Sequence, residues 1–119
     1  MALLNKEQIL LAKDLPSRDV NVPEWGGTVR VRTMTGLERD SWEASVFEMK
    51  GKEVQAKREN YRATLLARCI VDENNNRIFS DKDVLELGRK SALALDRLAE
   101  VAHELNGISK KDQDELVKN

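Results

Sequence analysis

The chain is predicted to fold as an α+β protein, mostly α, with a small N-terminal β-hairpin packed on a bundle of four to five helices. Three observations carry this reading. Apolar residues alternate with period two only between about Arg18 and Val31, those after Met34 follow helical spacing, and three hydroxyl-x-x-acid patterns mark helix starts. At 119 residues there is room for one core, so the expectation is a single domain over 1–119. Its parts are an N-terminal helical arm (1–17), the hairpin (18–34), a helical core (35–108) and a C-terminal helix (109–119).

Taken in order, Asn5 can cap a short helix containing Ile9, Leu10 and Leu11, with Gln8 reaching back and Pro16 ending it. Val20 and Val22 then alternate with Asp19 and Asn21, and Val29 and Val31 with Arg30 and Arg32, which predicts two strands with the valines on one face. Pro23-Glu24-Trp25-Gly26-Gly27 supplies a fixed φ and two residues tolerant of positive φ for the loop between them. Asp19 faces Arg30 and Arg32 across the pair, on a face expected to be solvated. Thr35 with Glu38 opens a helix to about Met49, where Lys50-Gly51-Lys52 should kink or break it. A central core helix is expected from about Glu53 to Val71, with Val54, Tyr61, Leu65 and Cys69 on one stripe and Trp42 packed in the core. Asp72 to Asn76 reads as a turn and Arg77 to Phe79 as a short extended segment. Ser80 with Asp83 starts a brief helix that Gly88 terminates. Ser91 caps another, carrying Leu95, Leu98, Ala102 and Leu105 to an Asn106-Gly107 stop. Ser109 with Asp112 opens the last, marginal helix.

Composition removes several function classes. Twenty basic residues against twenty-one acidic ones provide no field for nucleic acid or an anionic bilayer, and no apolar run reaches the roughly 20 residues of a membrane helix. One cysteine cannot form an intrachain disulfide, and no cationic start leads into an apolar signal core, so a reducing cytoplasm is expected. A lone His103 and a lone Cys69, thirty-four positions apart, make no zinc site. His103 reads as a surface or half-buried residue and Cys69 as buried packing. Gly26-Gly27 and Gly36 lack phosphate-loop spacing, so no nucleotide cofactor is expected. No catalytic constellation emerges, and the chain is read as a non-enzyme.

Charge is segregated along the sequence. Between Gly36 and Met49, Glu38, Asp40, Glu43 and Glu48 outnumber Arg39 by three. From Lys50 to Arg62, Lys50, Lys52, Lys57, Arg58 and Arg62 outnumber Glu53 and Glu59 by three. Either the two segments neutralise each other within the chain, or Glu43, Glu48, Lys57 and Arg58 join copies head to tail in a ring or spiral.

The run from Val22 to Trp42, Val-Pro-Glu-Trp-Gly-Gly-Thr-Val-Arg-Val-Arg-Thr-Met-Thr-Gly-Leu-Glu-Arg-Asp-Ser-Trp, resembles the N-terminal signature of tail assembly chaperones of long-tailed double-stranded DNA bacteriophages. The similarity continues through Leu65 to Asp72, the Asn-rich turn, Ile78 to Asp81, and Leu98 to Ser109 with Glu104-Leu-Asn-Gly107. It covers the chain from about Val20 onward. In that family an extended hydrophobic insert separates the two central helices, whereas charged residues around Lys50 to Arg58 stand there in this sequence. The resemblance implies a non-enzymatic factor of the host cytoplasm, absent from the mature virion. Such a factor binds the tape-measure protein, keeps it soluble and recruits tail-tube (major tail) subunits; many relatives also have a longer frameshifted form. Its partners would include further copies of itself but neither nucleic acid nor membrane.

Trp25, with Gly26 and Gly27, is the candidate partner contact, because a large ring on a turn is costly in water unless covered. The cover is either the chain's own helices or a partner. A competing expectation is a small helical adaptor or regulatory domain, with weak nucleic-acid contact through the Lys50 to Arg62 patch.

Overall fold

The computed structural model describes residues 2–56 and 59–108. A capping box at Asn5, with Gln8 reciprocating, opens α1 (Lys6–Leu11), and this helix buries no side chain. It ends at Leu11, well before Pro16, whose carbonyl instead accepts the Thr33 N–H at 2.9 Å and ties the arm to the body. Strands β1 (Ser17–Val22) and β2 (Gly27–Arg32) pair antiparallel, with Val20 opposite Val29 and Asp19 opposite Arg30. The expected cross-strand ion pair is present, Arg30 Nε to Asp19 at 2.8 Å. Between the strands, Pro23–Trp25 form a single 3₁₀ turn that Gly26 closes at φ 71°, a left-handed conformation open to glycine without strain.

Thr35 and Glu38 form the capping box of α2 (Gly36–Val46). The chain then departs from the predicted helices. Phe47–Lys50 (β3) and Glu53–Ala56 (β4) form a second antiparallel hairpin about Gly51-Lys52, with Met49 opposite Val54. Neither the helix to Met49 nor the one from Glu53 exists; α3 is only Tyr61–Cys69, entered through a left-handed Asn60. The cause is visible in the residues: Phe47 and Met49 alternate with Glu48 and Lys50, and Gly51 at φ 66° makes a two-residue loop. Gly51 therefore reverses the chain rather than kinking a helix. The segment around Lys50 is extended after all, despite its charge.

Ile70–Val71 form β5 and pair with β2, so the hairpin becomes a three-stranded sheet of order β1-β2-β5. The Asx turn that follows has Asp72 Oδ1 accepting the N–H groups of Asn74 and Asn76, and Val71 bridges Arg77 as the short extended segment returns. Ser80 and Asp83 form the third capping box, ahead of α4 (Val84–Gly88). Ser91 caps α5 (Ala92–Asn106), which Gly107 stops at φ 62°. The expected helix after Ser109 lies outside the described residues.

One core joins the valine face of the sheet, Val22 and Val31, to Trp42 and Val46 of α2, Leu65, Leu66 and Cys69 of α3, and Leu95, Leu98 and Ala102 of α5. Asn106 locks the end of α5 onto this core. Its Oδ1 accepts the Met34 N–H at 2.7 Å, its Nδ2 donates to Ala102 and Cys69, and its carbonyl accepts from Arg39. The opposite face of the sheet is not uniformly solvated. Arg32 is 8% exposed and donates to Glu38 at 2.6 Å and to the carbonyls of Thr33 and Asn75. The Asn-rich turn folds over it, a tertiary contact that strand periodicity does not encode.

Candidate partner-binding surface

The Trp25 loop is fastened from two sides. The Glu24 carboxylate accepts both Arg97 Nη groups from α5, which holds its pKa below the usual carboxylate range. Trp25 itself is half-buried against the core, and its indole Nε1 is buried without a hydrogen-bond partner among the described residues. The ring stands between two grooves. One, of about 490 Å³, runs over Val29, Ile70, Ile78 and Phe79 with Asp19, Arg30, Asp72 and Glu73 at its rim. The other, of about 260 Å³, lies between Trp25, Phe79, Leu87, Glu86 and Lys90. Gly26 and Gly27 are exposed at the turn, and a Cβ at either would touch nothing within 4 Å. The chain thus covers part of Trp25 and leaves apolar space beside it. Ile78 and Phe79 were not singled out by sequence, because nothing local places them beside the loop.

Two further apolar surfaces stand free of the body. The arm exposes Leu3, Leu4, Ile9, Leu10 and Leu11, from 93% for Leu3 to 56% for Ile9. The β3–β4 hairpin exposes Met49 and Val54, 63% and 64%, while Phe47 at its root meets the Trp42 ring edge-on at 6.1 Å. The alternation around Gly51-Lys52 is the signal that could have found this hairpin.

Among the described residues the charges of the two segments pair in several ways, within a segment, between the segments and with the rest of the chain. Glu38 is committed to Arg32, Glu43 pairs with Arg39 one turn back, and Arg62 goes to Asp96 of α5 while lying 5.0 Å from the Tyr61 ring centroid. Glu48 lies 3.9 Å from Lys50 on the hairpin. Lys57 and Arg58 lie outside the described residues. Of the four residues expected to join copies, Glu43 stands on α2 and Glu48 on β3.

The other singled-out groups are packing residues. Burial pushes the Cys69 thiol up to about 12, so it carries no thiolate near neutrality. His103 is buried, not half-exposed, because α5 turns it onto α3, where its ring stacks on Tyr61 at 6.4 Å. Burial lowers its pKa below 6.5, with Glu100 opposing. The unfolded chain therefore takes up a proton near pH 6.5 that the folded chain refuses until lower pH. Stability contributed this way is complete above pH 6.5 and lost as pH falls from there through the folded value. Urea unfolding between pH 7 and 5 should show declining stability in the parent and a flatter profile in His103→Gln. Below about pH 4 a second decline is expected in both, as Asp19, Glu24 and Asp81 lose their arginine-paired carboxylates.

Among the described residues no group of three His, Cys, Asp or Glu side chains could hold a metal ion, and no helix is long and apolar enough to cross a membrane. What the surface offers is apolar grooves and projections.

None of the curated proteins matches the chain. Among solved structures it is similar to the tail assembly chaperone of bacteriophage HK97, with a TM-score of 0.59 and 21% identity over 87% of this chain and 95% of that one, a likeness of fold. A family model described as phage tail assembly chaperone matches residues 7–119, which takes in the sheet, all of α2 to α5 and both sides of the Trp25 grooves. By that match, the chain belongs to the phage tail assembly chaperone family.

Proposed function

We propose that this chain binds the tape-measure protein of its phage, keeps it soluble, and recruits tail-tube subunits to it before leaving, acting in many copies in the host cytoplasm with no place in the mature tail. The observation that carries the reading is the family match over 7–119. The surface supports it in kind. A long helical partner unsheathed before its tube forms exposes apolar stripes, and apolar grooves beside Trp25 suit the side chains of such stripes. Each contact is small, so affinity along the partner comes from repetition, and each copy stays displaceable.

Co-expression tests it. With this chain the tape-measure protein should be recovered soluble and in complex, and without it insoluble. Equal solubility in both, with pull-downs recovering neither the tape measure nor the tube subunit, rejects the chaperone reading and leaves the adaptor one. Trp25→Ala should weaken recovery about tenfold, as expected for a central aromatic contact, with helical circular dichroism unchanged. Loss of that signal would assign Trp25 to the fold alone.

A further inference from the structure

The run Glu104-Leu-Asn-Gly107 carries more chemistry than a helix stop. Asn106 is the one asparagine of the chain that glycine follows. In that dipeptide the glycine nitrogen can reach the side-chain amide carbon, because no Cβ stands in the way and glycine adopts the backbone angles that ring closure needs. Asparagine is accordingly among the residues that heat and time degrade.

The fold opposes this reaction from both sides. Asn106 Oδ1 accepts the Met34 N–H at 2.7 Å, and Nδ2 donates to the Ala102 carbonyl at 2.8 Å and, more weakly, to Cys69 Sγ at 3.6 Å. These bonds hold the amide between the end of β2 and α3. The attacking nitrogen is engaged as well, its N–H donating to the Glu104 carbonyl at 3.3 Å within a cap that keeps Gly107 at φ 62°. Asn106 is the last residue of α5, and helical ψ turns the following nitrogen away from the side-chain carbon. Two outside groups fasten the same turn: Thr33 Oγ1 donates to the Leu105 carbonyl at 3.2 Å, and Arg39 donates to the Asn106 carbonyl at 2.9 Å.

We propose that Asn106-Gly107 is a deamidation site gated by the last turn of α5, closed in the folded chain and open when that turn lifts from β2 and α2. The Gly107 nitrogen bonds to Asn106 Cγ, the Cγ–Nδ2 bond breaks, and the nitrogen's proton leaves with the amide as ammonia. Solvent water then opens the cyclic imide at either carbonyl, leaving aspartate or isoaspartate, with no change of oxidation state. Neither product can close the turn as before. Aspartate brings a carboxylate oxygen up to the Ala102 carbonyl where Nδ2 donated, and isoaspartate adds a backbone methylene ahead of the cap. A chain that has opened here is therefore marked irreversibly, whatever partner it takes.

The test is peptide mass mapping of the full chain after incubation at neutral pH and physiological temperature, folded in buffer or held unfolded in guanidinium chloride. Conversion should concentrate at Asn106 and run at least about tenfold faster in the unfolded chain. Arg39→Ala and Thr33→Val leave the dipeptide intact and remove one outside fastening each, so both should speed conversion of the folded chain about threefold or more. Leu87→Ala, a core truncation on α4, should not, because the gate is the local turn and not global unfolding. Asn106→Asp should shift the unfolding equilibrium at least about tenfold toward the unfolded state. A folded chain that converts as fast as the unfolded one would overturn the proposal. So would fastening variants that convert like the parent, a Leu87→Ala chain that converts as fast as they do, or an Asn106→Asp chain as stable as the parent.

Discussion

Trp42→Ala is expected to cost about 3–5 kcal/mol of folding stability, the range for deleting a fully buried aromatic. Trp42 is 1% exposed, lies beneath the Arg39 guanidinium at 5.5 Å from its ring centroid, and receives Phe47 edge-on at the root of the β3–β4 hairpin. Removing the indole leaves a cavity in the core and also takes away the surface on which the hairpin stands. A domain of this size holds only about 5–15 kcal/mol in total, so the variant should be partly unfolded at physiological temperature. Urea titration at 25 °C measures the loss. Trp42→Phe, which refills most of the space, should recover more than half of it. If the alanine variant lost under about 1 kcal/mol, the hairpin root would have to be held by something other than this ring.

Helix starts were legible because capping is chemistry between residues three apart. The boxes at Asn5, Thr35 and Ser80 are all present, and the facing of Asp19 by Arg30 followed from strand alternation. The β3–β4 hairpin was not, since Glu, Lys, Gln and Ala favour helix as isolated residues and only two apolar positions alternate on the first side of Gly51. There a tertiary contact, Phe47 on Trp42, outweighs propensity. β5 was hidden for another reason: Ile70 and Val71 continue the apolar stripe of α3, and only the position of β2 makes them a strand. Of the candidate site, Trp25 was visible as a large ring on a turn. Its groove partners Ile78 and Phe79 come from more than fifty residues away, and their place depends on β5 and the Asx turn.

Glu38→Ala should cost about 3 kcal/mol, an effect out of proportion to its place in the first turn of a helix. Glu38 does two jobs through one oxygen. Its Oε1 accepts the Thr35 N–H at 2.8 Å, completing the N-terminal box of α2, and the Arg32 guanidinium at 2.6 Å. Loss of a cap alone is worth about 1 kcal/mol. The remainder arises because Arg32, buried between β2 and the Asn75 turn, would keep its charge with only the carbonyls of Thr33 and Asn75 as acceptors. Glu38→Gln preserves an acceptor for the cap but not the charge, so it should fall between parent and alanine. Arg32→Met in the Glu38→Gln background removes the stranded cation and should recover part of the loss, a coupling that a double-mutant cycle in urea reads directly. Additivity of the two substitutions would mean that Arg32 is already solvated in the folded chain, and that the turn at Asn75 does not close over it. Because that turn also carries Asp72 and Glu73 at the rim of the Trp25 groove, the same pair sets the geometry of the surface offered to partners.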